Sequence, residues 1–176
     1  MREIPTKPDA APIAGPATDF SDLLSLLMLR IVGAGALSGL SRLSGGANME
    51  SWSFDWEAEG RTAGYVLRRA PSAAYMADRP FGHRDEAALV MAAFAAGVRA
   101  PEVVGVLEEG HALGTGYVMR RVVGEVSPAR ILADPPAPLL GGLGRELAHI
   151  HAIPLETVPD AIPPMDTATA LAELKT

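Results

Sequence analysis

Leu43-Ser44-Gly45-Gly46-Ala47-Asn48-Met49-Glu50-Ser51-Trp52-Ser53-Phe54-Asp55-Trp56 is the stretch that decides how the chain is built. Gly45 and Gly46 interrupt any regular element entering from Leu37 to Leu43, since neither has a side chain to pack and both are costly to order. Beyond the break, Ser51, Ser53 and Asp55 alternate with Trp52, Phe54 and Trp56. That period of two predicts a strand with one apolar face. Leu37 to Leu43 is read as the strand before the break. Glu59-Gly60-Arg61 then predicts a turn into a third strand, Tyr65-Val66-Leu67-Arg68, which ends before Pro71.

On the N-terminal side, Phe20, Leu23, Leu24, Leu27 and Ile31 are spaced as one face of a helix, with Asp19 or Ser21 as its cap. Residues 1–18 hold Pro5, Pro8, Pro12 and Pro16, a composition that suits a flexible leader. On the C-terminal side, Phe81 to Ala96 predicts a helix with Leu89, Val90, Ala93 and Phe94 on one face and Gly97 as its stop. Val103 to Leu107 and Gly116 to Met119 read as short strands around the turn Glu108-Glu109-Gly110-His111. Gly124 to Pro138 reads as irregular. Leu139 to Ile153 reads as a helix striped by Leu140, Leu143, Leu147 and Ile150 and stopped by Pro154, with a further helical start near Ala168. Strands in the first two thirds and helices after them make an α+β class.

Composition narrows the function classes. The 176 residues are 48% hydrophobic and 20% charged, which is too apolar for intrinsic disorder. With no cysteine, disulfide scaffolds, thiolate zinc sites and thiol catalysis are excluded, and a reducing cytoplasm suits the chain. A net charge of −6 argues against nucleic acid as a partner. The most apolar run, Leu23 to Leu40, carries Arg30 at its centre, at a cost of about 2.5–3.5 kcal/mol for insertion, so no membrane partner is expected. Lysine occurs only at Lys7 and Lys175, and the single Asn is Asn48.

Two local motifs point elsewhere. Ile31-Val32-Gly33-Ala34-Gly35-Ala36-Leu37-Ser38-Gly39 looks like the glycine fingerprint of a dinucleotide-binding oxidoreductase. That fingerprint requires strand, turn, then a long helix, and Gly45-Gly46 falls inside the helix it needs. His83-Arg84-Asp85 matches the opening of a protein-kinase catalytic loop, but the metal-binding Asn required five positions after the Asp is here Val90. The triplet is read as solvated residues in a first helical turn.

A distributed set carries more weight: Leu43 to Trp52, then Tyr65-Val66-Leu67-Arg68, Glu86, Gly97-Val98-Arg99-Ala100-Pro101, and Tyr117-Val118-Met119-Arg120-Arg121-Val122-Val123-Gly124-Glu125. In order and spacing the chain resembles, over about residues 20 to 170, the aminoglycoside phosphotransferase-like family of small-molecule kinases. The resemblance implies a protein-kinase-like N-lobe, an antiparallel sheet of about five strands plus a helix, followed by the first helices of an incomplete helical C-lobe. It implies ATP or GTP with Mg²⁺ as cofactors and a small-molecule hydroxyl as phosphoryl acceptor. Backbone N–H groups of Ser44, Gly45, Gly46, Ala47 and Asn48 would approach the phosphates, as glycine-rich turns allow. Arg68 stands where the fold usually has a lysine, and Glu86 would pair with it. Met119 would lie behind the base, with the Arg120 carbonyl and the Val122 amide bonding the base edge.

The family's His-Gly-Asp-x-x-x-x-Asn catalytic loop and later metal-binding Asp have no counterpart here, since the sole Asn lies in the glycine turn. No catalytic residue and no metal ligand is therefore assigned, and little phosphotransfer is expected of these residues alone. The expected division is a leader over 1–18, the nucleotide-binding N-lobe over 19–120, hinge and connector over 121–138, and the start of a truncated C-lobe over 139–176. The leucine stripe of the last helix is expected to be exposed and to favour self-association. A non-catalytic nucleotide-binding or interaction module is the second reading, and the dinucleotide-binding fragment the third.

Overall fold

The computed structural model describes residues 19–43, 49–77, 79–136 and 138–163. Helix α1 spans Phe20–Ile31 and strand β1 Ala36–Arg42. Strands β2 and β3 cover Glu50–Ala58 and Arg61–Ala70, and helix α2 covers His83–Ala95. Strands β4 (Val103–Val106) and β5 (Thr115–Arg120) precede helices α3 (Pro128–Ala133) and α4 (Leu139–His151). Two 3-10 turns, Ala73–Met76 and Leu155–Thr157, complete the described elements. The leader, the turn Ser44 to Asn48 and the helical start near Ala168 lie outside the described residues.

The five strands form one antiparallel sheet in the order β1-β2-β3-β5-β4. The β2–β3 hairpin turns on Glu59 and Gly60, both at positive φ (50° and 71°), with Ala58 opposite Arg61. That is the two-residue turn whose twist matches its flanking strands. Because opposed residues share a face, the registers divide the sheet into two chemistries. Trp52, Phe54, Trp56, Tyr65, Leu67 and Val118 face α1, where Leu24, Leu27 and Met28 are buried among them. Ser51, Ser53, Asp55, Val66, Arg68, Tyr117 and Met119 point to the other side, where α2 packs on β4 and β5. The five-stranded antiparallel sheet with a helix against its polar face is the α+β arrangement expected from the sequence.

Several expectations are corrected. Asp19 sits at the N-cap of α1 with extended backbone, yet its side chain caps no helical N–H; it accepts instead from Ser21 Oγ at 3.3 Å. The Gly33–Gly39 run is the exit of a helix and the entry to a strand, the reverse of the order a dinucleotide fingerprint needs, which removes that reading. Its glycines serve chain reversal and one close approach. Gly33 ends α1 at φ 106°, and a Cβ on Gly35 would collide with the Trp56 indole. In α2 only His83 and Ala87 are buried, whereas Phe94 is exposed. The unbroken apolar run from Ala87 to Ala96 left its inward face undetermined by periodicity. The segment read as irregular contains α3, capped by Ser127 Oγ accepting from the Arg130 N–H at 3.5 Å, with Pro128 at the first helical position. The leucine stripe of α4, by contrast, is exposed as expected at Leu140, Leu143, Leu147 and Ile150.

Candidate functional site

The polar face is organised in three rows that cross the sheet. In the first, the Leu43 N–H donates to Ser51 O at 2.8 Å, Ser51 opposes Arg68, and Arg68 opposes Tyr117. The second runs Ser41, Ser53, Val66, Met119 and Val103. The third holds Asp55 and Gly64, with Arg121 following the last residue of β5. One row is charged, the next nearly neutral, the third charged again.

Arg68 is held from the helix side. Its Nε donates to Glu86 Oε1 at 2.8 Å, and Tyr117 Oη donates to the same oxygen at 3.3 Å. The two side chains of the ion pair are 29% and 28% exposed, so water still reaches the pair. Glu86 lies in the first turn of α2, where the helix dipole favours an anion. That turn is itself fixed twice: Asp85 Oδ2 accepts from the Gly82 N–H at 3.1 Å, and His83 Nδ1 lies 3.0 Å from Thr115 Oγ1. His83 is only 3% exposed, so it is not the solvated residue its triplet suggested. Burial lowers its pKa from the ordinary 6.5, helped by Arg68 and Arg79 and opposed by Glu86. Burial and the Glu86 carboxylate push the Tyr117 phenol up to about 12.

Of the residues singled out in the sequence, Arg68 and Glu86 are brought together. Met119 joins them on the same face, half-buried and opposite Val66. Arg120 turns its side chain to the opposite face, its guanidinium 4.6 Å from the Tyr65 ring centroid, and its amide donates to Glu102 O at 2.8 Å. Val122 lies past the end of β5 and is exposed. Ser44, Gly45, Gly46, Ala47 and Asn48 lie outside the described residues, but their flanks, Leu43 and Ser51, stand in the Arg68 row.

The sequence analysis gave no site role to Tyr117, Thr115 or Arg121 and read His83 as solvated. Tyr117 could have been found, since it precedes Met119 by two in a strand and so shares its face. The His83–Thr115 bond and the Arg121 contacts join residues 32 to 68 positions apart, and only the register brings them together. A separate cleft of about 520 Å³, lined by Pro71, Met76, His83, His111 and Thr115 among others, includes none of the residues singled out for nucleotide. Among the described residues no cluster of three or more His, Asp or Glu side chains is arranged to hold a metal ion. No described helix is long and apolar enough to cross a membrane.

Comparison with known proteins follows from this geometry. Two solved structures are similar at 24% identity. One is aminoglycoside phosphotransferase APH(4)-Ia, with a TM-score of 0.47, the match covering 76% of this chain and 40% of that one. The other is a thermostable mutant of the same enzyme in ternary complex with AMP-PNP and hygromycin B, with a TM-score of 0.39 and coverage of 78% and 39%. The chain thus spans about two fifths of the structures it matches. No curated protein matches it. The model of the phosphotransferase enzyme family (APH) matches residues 39–176, and the chain belongs to that family.

Proposed function

We propose that these residues form the nucleotide-binding part of a small-molecule kinase, in which ATP or GTP lies against the polar face of the sheet. The observation that carries this reading is the first row: Arg68, held by Glu86 and Tyr117, beside the strands that flank the glycine turn. A fixed guanidinium next to backbone N–H groups is what a triphosphate needs. The phosphates then lie beside Arg68 at the end of the sheet where Leu43 pairs with Ser51, and the proposal assigns the backbone N–H groups of Ser44 to Asn48 to them as well. The base lies under Val66 with Met119 behind it, and the Arg120 carbonyl and Val122 amide bond its edge. The division into a leader (1–18), an N-lobe (19–120), a connector (121–138) and a helical part (139–176) belongs to the same proposal.

In the complete reaction an acceptor hydroxyl oxygen bonds the γ-phosphorus and gives up its proton to a base that these residues do not supply, while the bond to the bridging oxygen breaks and the nucleoside diphosphate leaves. Mg²⁺, when bound, neutralises charge on the phosphates. The described residues offer no metal cluster, so no step is assigned to Mg²⁺. With Asn48 the sole Asn and no His-Gly-Asp-x-x-x-x-Asn run, the share assigned to these 176 residues is nucleotide binding rather than turnover. This also accommodates a non-catalytic nucleotide-binding module. A cytoplasmic setting and self-association through the exposed Leu140, Leu143, Leu147 and Ile150 stripe of α4 go with the proposal.

Thermal unfolding tests it. ATP with Mg²⁺ at 100 times its dissociation constant should stabilise the chain by about 2.7 kcal/mol, while NAD and FAD should leave the midpoint unchanged. A shift with NAD or FAD but none with ATP or GTP would overturn the reading.

A further inference from the structure

We infer that Arg121 is a positioning residue for the nucleotide base, clamped to the cleft face so that the base-bonding groups on either side of it stay in place. This rests on the nucleotide reading above. Arg121 is the first residue beyond β5, where the chain leaves the sheet for a segment without regular structure that includes the exposed Val122, Val123 and Val126. Four ties hold it there. Its amide donates to Gly64 O at 2.9 Å, Nη1 donates to Ser53 Oγ at 3.0 Å, and Nη2 donates to Asp55 Oδ1 at 2.6 Å. The fourth is space: a Cβ on Gly64 would lie 2.6 Å from the Arg121 Nε and Nη2, so the guanidinium lies against β3 only because residue 64 has no side chain.

These ties are on the face that carries Val66, Arg68 and Met119, two residues along β3 from Val66 and four from Arg68. At about 3.4 Å per residue this places Gly64 roughly 14 Å from Arg68, at the far end of the base site from the phosphates. The charge is already matched by Asp55, so Arg121 is poorly suited to bind phosphate itself. What the clamp fixes is the backbone of residue 121, and with it the Arg120 carbonyl before and the Val122 amide after. Holding those two groups in advance removes an ordering cost from base binding.

Calorimetry with ATP–Mg²⁺ and with inorganic tripolyphosphate–Mg²⁺ tests the assignment on Gly64→Ala and Asp55→Asn. Gly64→Ala displaces only the flexible end of Arg121, and Asp55→Asn loosens the guanidinium by turning the charge-assisted Nη2 bond into a neutral one while removing an anion. Both should weaken ATP about tenfold and leave tripolyphosphate within twofold. Charge alone predicts the opposite sign for Asp55→Asn, namely tighter binding of both ligands, and that result would overturn the inference. So would wild-type ATP affinity in both variants, or equal losses for both ligands, which a merely structural role would produce. If the unaltered chain bound neither ATP nor GTP, the nucleotide reading would fail and this inference with it; unaltered binding with unaffected variants sinks only the inference.

Discussion

Arg68→Ala separates two energies that the Arg68–Glu86 pair combines. The pair is partly wet, at 29% and 28% exposure, and its 2.8 Å bond is backed by Tyr117 at 3.3 Å. Exposed pairs contribute about 0.2–1 kcal/mol, and breaking a buried one costs about 3–5 kcal/mol. With solvent screening at this exposure, about 1 kcal/mol is the expected loss of stability. At about 2–4 °C per kcal/mol for a chain of this size, the midpoint falls by a few degrees. Nucleotide binding should suffer more. A charge-assisted bond to phosphate contributes about 1.5–3 kcal/mol, and each 1.4 kcal/mol is tenfold in affinity. The ATP dissociation constant should therefore rise roughly 10- to 100-fold. Calorimetry at fixed Mg²⁺ reads the binding, and thermal unfolding without nucleotide reads the fold. A variant with ATP affinity within twofold of the unaltered chain, alongside the expected small drop in midpoint, would refute the assignment of β3 to the phosphates.

The remaining expectations concern the groups around that pair. Arg68→Lys should fall between the unaltered chain and Arg68→Ala, weakening ATP roughly three- to tenfold, because one nitrogen must serve both carboxylate and phosphate; calorimetry decides. Tyr117→Phe removes one donor to Glu86 and should cost about 1 kcal/mol in urea unfolding, and the phenol that vanishes from a spectrophotometric pH titration should be the one ionising near 12. His83 has a folded pKa below 6.5 because it is buried, so the unfolded chain binds its proton first as the pH falls. The stability this residue contributes is complete above about pH 6.5 and declines below it, by at most about 1.4 kcal/mol per pH unit. His83→Gln should flatten the urea midpoint between pH 7.5 and 5.5, leaving the slope contributed by His111, whose pKa is also lowered by burial. An unchanged slope in the variant would show that His83 is not the group titrating.

Much of this was legible in the sequence where chemistry repeats at short range. Ser51 to Trp56 alternates strictly, so the strand and its apolar face could be read before the sheet was seen. Pro71 and Gly97 punctuate where the chain in fact turns. Legibility failed where neighbours in sequence carry no contrast or where the partner is distant. The apolar run from Ala87 to Ala96 offers every face equally, so burial at Ala87 was invisible. Ser127-Pro128 was a readable helix start, overlooked because prolines surround it. His83 became a core residue only once β5 supplied Thr115 across 32 positions. The Arg121 clamp needed the registers of β2, β3 and β5 together.

The arginine at position 68 makes sense when its nitrogens are assigned separately. Nε is committed to Glu86, and that bond leaves the guanidinium's other N–H groups pointing elsewhere. A guanidinium has five donors in a fixed fork, so the end held by α2 and the end offered to an anion are different atoms. A lysine has one nitrogen, and a carboxylate that holds it also competes with the phosphate for it. Tyr117 shares Oε1 with Arg68: a neutral phenol, kept neutral by burial and by the carboxylate, steadies the anion without adding charge. Glu86 and Tyr117 thus set the orientation of the Arg68 cation from the helix side and from β5. On the opposite face, Arg69 takes Glu50 as its partner at 3.0 Å and lies over the Phe20 ring. Adjacent arginines in one strand therefore have different partners, and the alternation of the strand, more than the residue type, decides which of them shares a face with Val66 and Met119.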